Sequence, residues 1–275
     1  MSRYQPKALF NDERVVVVDI ETLSGEEMPD GGFPPWCTHK PVVLSALTCD
    51  RNALGEWQFE LTSIIFGDDR EPFEKLERLL SGRSCATANG AGFDFPVLML
   101  AAQSSRNFCL PALTSAATES RYVSAKHYDL LAKYSNNGTA RGCSLAMLCD
   151  ALGIKSKLTA HGDDVANLYR EGKVETIVQY CEGDVLSTAF LLAYYRAMEK
   201  GDASYHASLT SQLARWIHVQ GHEHLLPFAE VENLAGLLRL SLIHQLDAAT
   251  RQGEIAAAVQ AKRELDSSFG EITHY

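Results

Sequence analysis

The run VVVVDI at residues 15–20 is the feature that most limits how this chain folds. Four consecutive β-branched residues favour a strand, and the lack of polar alternation predicts that both faces of this strand are buried. Such a strand lies inside a sheet that has helices packed on each side. The run therefore predicts the central strand of an α/β domain.

The following residues alternate strand and helix patterns. Apolar runs predict strands over 41–48, 56–61, 84–88 and 127–131, and helical spacing predicts helices over 71–80, 95–103, 144–152 and 174–199. The Gly- and Pro-rich residues 24–35 predict a long loop. After Gly201 the pattern becomes helical and leucine-rich. We therefore predict a mixed α/β sheet flanked by helices over residues 1–200 and a helical C-terminal appendage over 201–275.

The composition is that of an ordinary globular protein of 275 residues, with 25 Lys and Arg against 35 Asp and Glu. The net charge of −10 argues against a positively charged coat, yet it does not exclude nucleic acid, because metal ions can carry the contact with phosphate. The seven cysteines show no CxxC spacing, which favours reduced thiols. We see no signal peptide and no apolar run of about 18 residues, so we expect a cytoplasmic protein without a membrane span.

Three segments carry carboxylates in positions that suggest chemistry. Asp19 and Glu21 lie at the end of the buried strand and share one face of it. Asp94 follows the glycine-rich turn NGAG and starts a helix, where it is either a ligand or a plain N-cap. Tyr180 and Asp184 are one turn apart on the longest helix. Each motif alone is common.

Together and in this order, the three segments resemble the DEDD superfamily of 3′-5′ exonucleases. Position 179 is Gln and position 180 is Tyr, so the similarity is to the tyrosine branch of this superfamily. The segments DIET, NGAGFDFPVL, HYDLL and YCEGD resemble the bacterial stand-alone exonucleases that are similar to the proofreading domain of family-B DNA polymerases. The resemblance covers residues 14–200 and implies an RNase H-like fold.

The resemblance implies a two-metal phosphodiester hydrolase that releases nucleoside 5′-monophosphates from single-stranded 3′ ends, with DNA as the favoured substrate. Two Mg²⁺ or Mn²⁺ ions require oxygen ligands. Their expected ligands are Asp19, Glu21, Asp94 and Asp184, and Tyr180 is expected to orient the attacking water. We expect substrate contacts from Thr22, Leu23, Asn89 and Phe93; the alternatives are core packing for Phe93 and capping of the turn for Asn89. Asp129 either supports the site or stabilises a turn.

Two other functions remain open at this point. An exoribonuclease would use the same chemistry, because contacts with a 2′-hydroxyl are not legible in the sequence. A non-catalytic nucleic-acid-binding subunit could keep the fold, although a scaffold has no need of clustered carboxylates that face phosphates. The basic residues between 121 and 157 are a candidate strip for the nucleic-acid backbone or an ordinary solvated surface: Arg121, Lys126, Lys133, Arg141, Lys155 and Lys157.

The C-terminal segment 231–246 is half large apolar residues, which is more than one narrow helical stripe. A helix here needs burial on a broad face. It either folds back as a hairpin with residues 253–265 or packs against a second copy of the chain. We predict a homodimer to which these helices contribute. The HEH sequence at 222–224 resembles a metal site, but it lacks further ligands nearby.

Overall fold

The structure is a computed structural model that describes residues 10–25, 32–67, 70–118, 126–156, 165–253 and 255–271. These residues form five strands: β1 (Arg14–Ser24), β2 (His39–Arg51), β3 (Trp57–Ile65), β4 (Ser84–Thr87) and β5 (His127–Asp129). They also form ten α-helices: α1 (Glu71–Leu80), α2 (Asp94–Ser104), α3 (Pro111–Ala117), α4 (Leu130–Tyr134), α5 (Leu145–Ala151), α6 (Val165–Arg170), α7 (Val174–Lys200), α8 (Ala203–Gln220), α9 (Leu234–Gln252) and α10 (Ile255–Glu271).

The strands form one mixed sheet in the order β3-β2-β1-β4-β5. The central strand β1 pairs antiparallel with β2 and parallel with β4. On the outer sides, β2 pairs antiparallel with β3, and β4 pairs parallel with β5. A three-stranded antiparallel meander that continues into two strands parallel to the first is the RNase H-like arrangement. The predicted fold class is confirmed.

The two faces of β1 are buried in two different hydrophobic clusters. Val15 and Val17 pack on one face with side chains of α7 and α8. Val16 and Val18 pack on the other face with side chains of α1, α2 and α3. All four valines are at most 1% exposed, and each buried valine contributes about 1.5–3 kcal/mol to stability. This burial explains why the strand carries no polar alternation.

Helix α7 lies against strands β1 to β4 and is fixed near its C-terminus by a buried arginine. Arg196 donates two hydrogen bonds to Asp12, of 2.7 and 2.6 Å, and one of 2.8 Å to the Tyr128 hydroxyl. These contacts attach the helix to the segment before β1 and to β5. The helix ends at Gly201, which adopts a left-handed conformation with φ of 64°. The position of α7 on the sheet is therefore fixed by contacts with the segment before β1 and with β5.

The predicted and observed elements differ at the end of β5 and at two short helices. The strand predicted over 127–131 ends at Asp129, because the Asp129 side chain accepts the Ala132 N–H and starts α4. Helices α3 and α6 were not predicted, since seven and six residues are too few for a clear helical period. Half of the predicted loop over 24–35 (residues 26–31) and the segment 157–164 lie outside the described residues.

The helical character predicted after Gly201 is confirmed. Helix α8 contributes Leu209, Leu213 and Ile217 to the core cluster that also contains Val15 and Val17. The hairpin of α9 and α10 folds back on α8. The division into two domains at residue 200 stays a prediction. In the part of the chain that the structure describes, no helix combines the length and apolar character needed to cross a bilayer.

The homodimer also stays a prediction, and substitutions on the outer face of α9 test it. Leu240 and Ile243 are 38% and 40% exposed there. We expect light scattering at micromolar concentration to give twice the chain mass of 30.3 kDa for the wild type. Replacing both residues with Glu should give the monomer mass, while Met198→Glu, an exposed position on α7, should leave the dimer intact. A wild-type mass near 30.3 kDa at every concentration would contradict the dimer.

Candidate active site

The end of β1 carries two of the predicted metal ligands. Asp19 and Glu21 are two residues apart on this strand, so both side chains emerge on the same face of the sheet. Asp19 is half-buried and Glu21 is buried. The pairing with β2 shifts register between Glu21 and Thr22. Such a bulge bends the strand directly after the second carboxylate, while the strand ladder before it fixes both groups.

Helix α7 brings the third motif against the first. The Tyr180 and Asp184 side chains, one helical turn apart, are joined by a hydrogen bond. Cys181 lies between these two residues in sequence. Its sulfur is 3.4 Å from the backbone oxygen of Asp19 and 3.6 Å from Asp19 Oδ2. One ligand atom from each of Asp19, Glu21 and Cys181 lies within 4.8 Å of the other two. The contact between α7 and β1 therefore runs through the candidate ligands themselves.

Asp94 is the first residue of α2 and is 4% exposed. Phe93 occupies the N-cap position, and no side-chain cap hydrogen bond is made there. Asp94 is therefore not the plain N-cap that the sequence left open. Its carboxylate interacts electrostatically with both Asp19 and Glu21, so the second motif belongs to the same cluster as the other two.

The turn before Asp94 explains why this segment reads NGAG. Asn89 adopts a left-handed backbone conformation with φ of 71°, which Asn tolerates better than most residues. A Cβ at Gly90 would lie 2.4 Å from the Thr87 hydroxyl oxygen, and one at Gly92 would lie 2.7 Å from Asn89 Oδ1. Only residues without a Cβ fit these two close approaches. The turn is thus built for a fixed path into α2.

Asp129 at the end of β5 holds this turn in place. Its carboxylate accepts the backbone N–H groups of Asn89 at 3.1 Å, Ala91 at 3.0 Å and Ala132 at 3.1 Å. The Thr87 hydroxyl accepts the Gly90 N–H at 3.1 Å. The turn-stabilising role considered for Asp129 is therefore present in the structure. Its support of the site, through the backbone that carries Asp94, stays a prediction.

Burial and neighbouring negative charges raise the pKa values of three of the predicted ligands. Burial is the largest cause of the raised pKa of Asp19, and three charges add to it: Asp94, Asp184 and Glu21. The pKa of Glu21 is raised by burial and then by Asp184 and Asp94. Burial, followed by the charge of Asp129, raises the pKa of Asp94 to about 8. The four predicted ligands thus repel one another when they are ionised.

A divalent cation fits this donor set. The cluster of carboxylates offers the hard oxygen atoms that Mg²⁺ and Mn²⁺ prefer, and a bound cation would offset the repulsion that raises their pKa values. Cys181 contributes no charge, because burial and then the Asp19 carboxylate raise the pKa of its thiol. Asp19, Glu21, Asp94 and Asp184 are the residues that would hold the metal, with the thiol as a neutral neighbour.

The predicted substrate residues lie close in sequence to Glu21 and Asp94. The Thr22 hydroxyl lies 2.8 Å from His39 Nδ1, and Leu23 packs against the cluster at the start of α7. Asn89 is exposed and lines a pocket of about 560 Å³ together with Gly92 and Arg141. Phe93 is half-buried and packs against His39. Thr22 and Leu23 follow Glu21 in sequence, and Asn89 and Phe93 belong to the turn that precedes Asp94.

The basic strip is only partly continuous. Arg141 lines the pocket beside Asn89, whereas Lys126 lines a different pocket with Asn11 and Arg83. Lys155 pairs with Glu230 at 3.6 Å, and Lys133 lies over the Tyr128 ring at 4.2 Å. Arg121 and Lys157 lie outside the described residues. Arg141 is therefore the member of the strip that the structure associates with the site.

The sequence did not predict the polar contacts that support the ligands from behind. Ser45 lies beside the Cys181 sulfur and donates to the Ser63 hydroxyl at 2.8 Å. Ser63 in turn donates to Glu182 at 2.7 Å, and His224 lies 2.7 Å from the other Glu182 oxygen. His224 thus pairs with a carboxylate, in place of the metal considered for the HEH sequence. The signal in the sequence was an isolated serine within each of two predominantly apolar stretches, and these two serines face each other on the paired strands.

The RNase H-like sheet and the carboxylates at the end of its central strand place the chain in the DEDD exonuclease superfamily. Residues 32–231 match the family of predicted 3′-5′ exonucleases related to the exonuclease domain of PolB. The match spans well over half of the chain, which therefore belongs to this family. The expectation of an exonuclease related to family-B proofreading domains is confirmed at this level.

Comparison with curated proteins gives no match. Among solved structures, the chain is similar to the family B DNA polymerase from the hyperthermophilic archaeon Pyrobaculum calidifontis, with 19% sequence identity and a TM-score of 0.47. The similarity covers 87% of this chain and 29% of that chain, so the protein spans less than a third of the polymerase's length.

The close approach at Gly90 generates a stability prediction. Gly90→Ala places a methyl group 2.4 Å from the buried Thr87 hydroxyl, so we expect the free energy of unfolding to fall by about 1–3 kcal/mol. Gly25→Ala, which meets no atom within 4 Å, should change it by less than about 0.5 kcal/mol. Urea unfolding measures both. Equal stability of the two variants would contradict the packing described for the turn.

Proposed function

We propose that the protein is a metal-dependent 3′-5′ exonuclease that hydrolyses phosphodiester bonds at single-stranded 3′ ends of DNA and releases nucleoside 5′-monophosphates. The observation that carries this proposal is the convergence of four carboxylates from β1, α2 and α7 with raised pKa values for Asp19, Glu21 and Asp94. Crowded carboxylates destabilise a purely structural core, whereas a site for divalent cations requires them. Membership of the exonuclease family supports the reaction.

We propose that two Mg²⁺ or Mn²⁺ ions complete the site. When bound, such a pair activates the attacking water and neutralises charge on the leaving oxygen. The chain's own contribution is to hold its carboxylates in fixed positions: Asp19 and Glu21 by the strand ladder, Asp184 by α7 and Asp94 by the anchored turn. Asp19, on which the charges of the other three carboxylates act, would be a ligand at the centre of this set.

Tyr180 orients the attacking water in this proposal and does not deprotonate it. Burial, followed by the charge of Asp184, raises the pKa of its hydroxyl well above the ordinary value near 10. The phenol therefore remains protonated at neutral pH and acts through hydrogen bonds. Its bond to Asp184 fixes the ring beside the carboxylates, which is where the water has to be held.

The substrate strand would be bound next to the carboxylates by residues of three segments. Thr22 and Leu23 follow Glu21, while Asn89 and Phe93 flank the turn before Asp94. The exposed Arg141 lines the same pocket as Asn89 and is suited to a phosphate. A local cation of this kind lets a chain with a net charge of −10 hold a polyanion.

We place the enzyme in the cytoplasm. All seven cysteines are free thiols, and four of them are buried. Unpaired cysteines in this number are typical of a reducing compartment.

The direct test is to incubate the protein with 5′- and 3′-labelled single-stranded DNA and RNA oligonucleotides, with Mg²⁺, Mn²⁺ or EDTA. We expect stepwise shortening from the 3′ end of DNA with either metal and none with EDTA. Asp19→Ala and Asp184→Ala should abolish turnover, because each removes a metal ligand, and should keep the wild-type fold by circular dichroism. Wild-type turnover in either variant would contradict the assignment, and cleavage confined to RNA would favour an exoribonuclease.

Tyr180→Phe separates water positioning from metal assembly. This variant keeps all four carboxylates, so we expect it to bind Mn²⁺ as the wild type does and to lose about 10²–10³-fold in kcat. Calorimetric Mn²⁺ titration and single-turnover kinetics measure the two quantities. Unchanged kcat would make Tyr180 a packing residue, and lost Mn²⁺ binding would place it in metal assembly instead.

A further inference from the structure

Three rings form a cluster at the edge of the candidate active site, and the outermost ring faces solvent. Phe33 stacks on His39 with ring centroids 4.8 Å apart and an interplanar angle of 21°. It meets Phe93 edge-on at 5.4 Å, and His39 meets Phe93 edge-on at 5.0 Å. Phe33 is nevertheless 71% exposed. Neighbouring rings therefore hold Phe33 in place while the rest of its ring is open to solvent.

The ring cluster of Phe33, His39 and Phe93 is attached to the first and the second of the three motifs. Phe93 directly precedes Asp94. His39 Nδ1 lies 2.8 Å from the hydroxyl of Thr22, which directly follows Glu21. The short 3₁₀ helix Trp36–Thr38, between Phe33 and His39, packs against α2. The exposed ring is therefore connected, through His39 and Phe93, to the two segments that carry Glu21 and Asp94.

The chain around Phe33 is stiff. Pro34 and Pro35 have fixed φ angles, and a residue that precedes proline is confined to extended conformations. The Pro34 carbonyl accepts a hydrogen bond from His39 Nε2 at 3.3 Å. Because Nε2 carries the proton in the neutral ring, Nδ1 accepts the Thr22 hydroxyl proton. Because this segment is already held in one conformation, it loses little conformational entropy when a ligand stacks against Phe33.

We propose that the outer face of Phe33 is a stacking platform for a nucleobase at the 3′ end of the single strand. The proposal rests on the exonuclease function and names a contact that the motifs do not include. A flat apolar ring beside a phosphate site suits a nucleobase, because every base has a π-face and the contact tolerates any sequence. Such a contact holds the strand end while the enzyme advances through different bases.

The ring cluster favours a nucleobase over a protein partner. Among the described residues of this segment, Phe33 and Trp36 are the exposed aromatic side chains, at 71% and 44%, and two rings offer far less area than the roughly 800 Å² per partner of a stable protein interface. The neutral His39 ring behind Phe33 adds no charge, since its nitrogens are engaged by Thr22 and Pro34. The platform therefore complements a base, and phosphate contacts are left to Arg141 and the carboxylate-bound metals.

The test uses the full-length protein and a single-stranded DNA oligonucleotide that carries 2-aminopurine at its 3′ end. Binding is followed by fluorescence quenching in Ca²⁺, under conditions in which no cleavage is detected. We expect Phe33→Ala to weaken binding by about 10-fold and to reduce the quenching, because base–aromatic stacking is lost. Phe33→Trp should restore both. Phe108→Ala is the matched control, since Phe108 is 74% exposed on the segment before α3.

Abasic oligonucleotides identify the contact itself. With a single abasic nucleotide placed at each of the three 3′-terminal positions in turn, one position should weaken wild-type binding and should have no further effect in Phe33→Ala. In Mg²⁺, the KM of Phe33→Ala should rise while kcat is retained, as expected when a binding contact is removed.

Wild-type affinity and quenching in Phe33→Ala, or equal abasic losses in both proteins, would overturn the platform. The proposed function is judged separately, by wild-type cleavage. If the wild type degrades the oligonucleotide and Phe33→Ala behaves identically, the platform fails and the exonuclease stands. If the wild type cleaves no oligonucleotide, the exonuclease fails.

Discussion

Mutual repulsion between carboxylates at the end of β1 is the constraint on which the arrangement of this protein depends. Asp19, Glu21 and Asp94 have raised pKa values because they are buried and because neighbouring charges surround them. The opposing stabilisation comes from the hydrophobic clusters on both faces of the sheet, to which each buried valine of β1 contributes about 1.5–3 kcal/mol. The core thus keeps together groups that would otherwise separate. Bound divalent cations would convert this strain into a preorganised site.

The structure holds the carboxylates in register through contacts behind them. Asp129 accepts three backbone N–H groups and so fixes the turn that leads into α2. The Cys181 thiol lies between Asp19 and the serines on β2 and β3, and the hydrogen bonds continue through Glu182 to His224. The segment after α8 is thereby connected to the candidate metal ligands. This connection gives the C-terminal region a physical link to the site, whether or not the chain dimerises.

Local patterns allowed much of the fold to be predicted, and long-range contacts explain what was missed. The run at 15–18 and the spacing along α7 are properties of consecutive residues, so burial and helical period are visible in them. The motif residues could be grouped because their order resembles a known superfamily. The strand predicted over 127–131 was too long, because the end of β5 depends on the cap made by Asp129. The ring cluster was missed, since stacking of Phe33 on His39 depends on how the loop folds against α2.

The pH dependence of stability, with and without metal, tests the central claim most directly. A carboxylate whose pKa is raised by folding binds protons more tightly in the folded than in the unfolded chain, so its ionisation destabilises the fold. We therefore predict that the free energy of unfolding of the metal-free protein falls as the pH rises from about 4 to about 8, and that Asp19→Asn falls less. Saturating Mn²⁺ should stabilise the wild type more at the upper end of this range than at the lower end. A wild-type stability that does not fall over this range, that falls no more than the stability of Asp19→Asn, or that Mn²⁺ leaves unchanged would contradict the account.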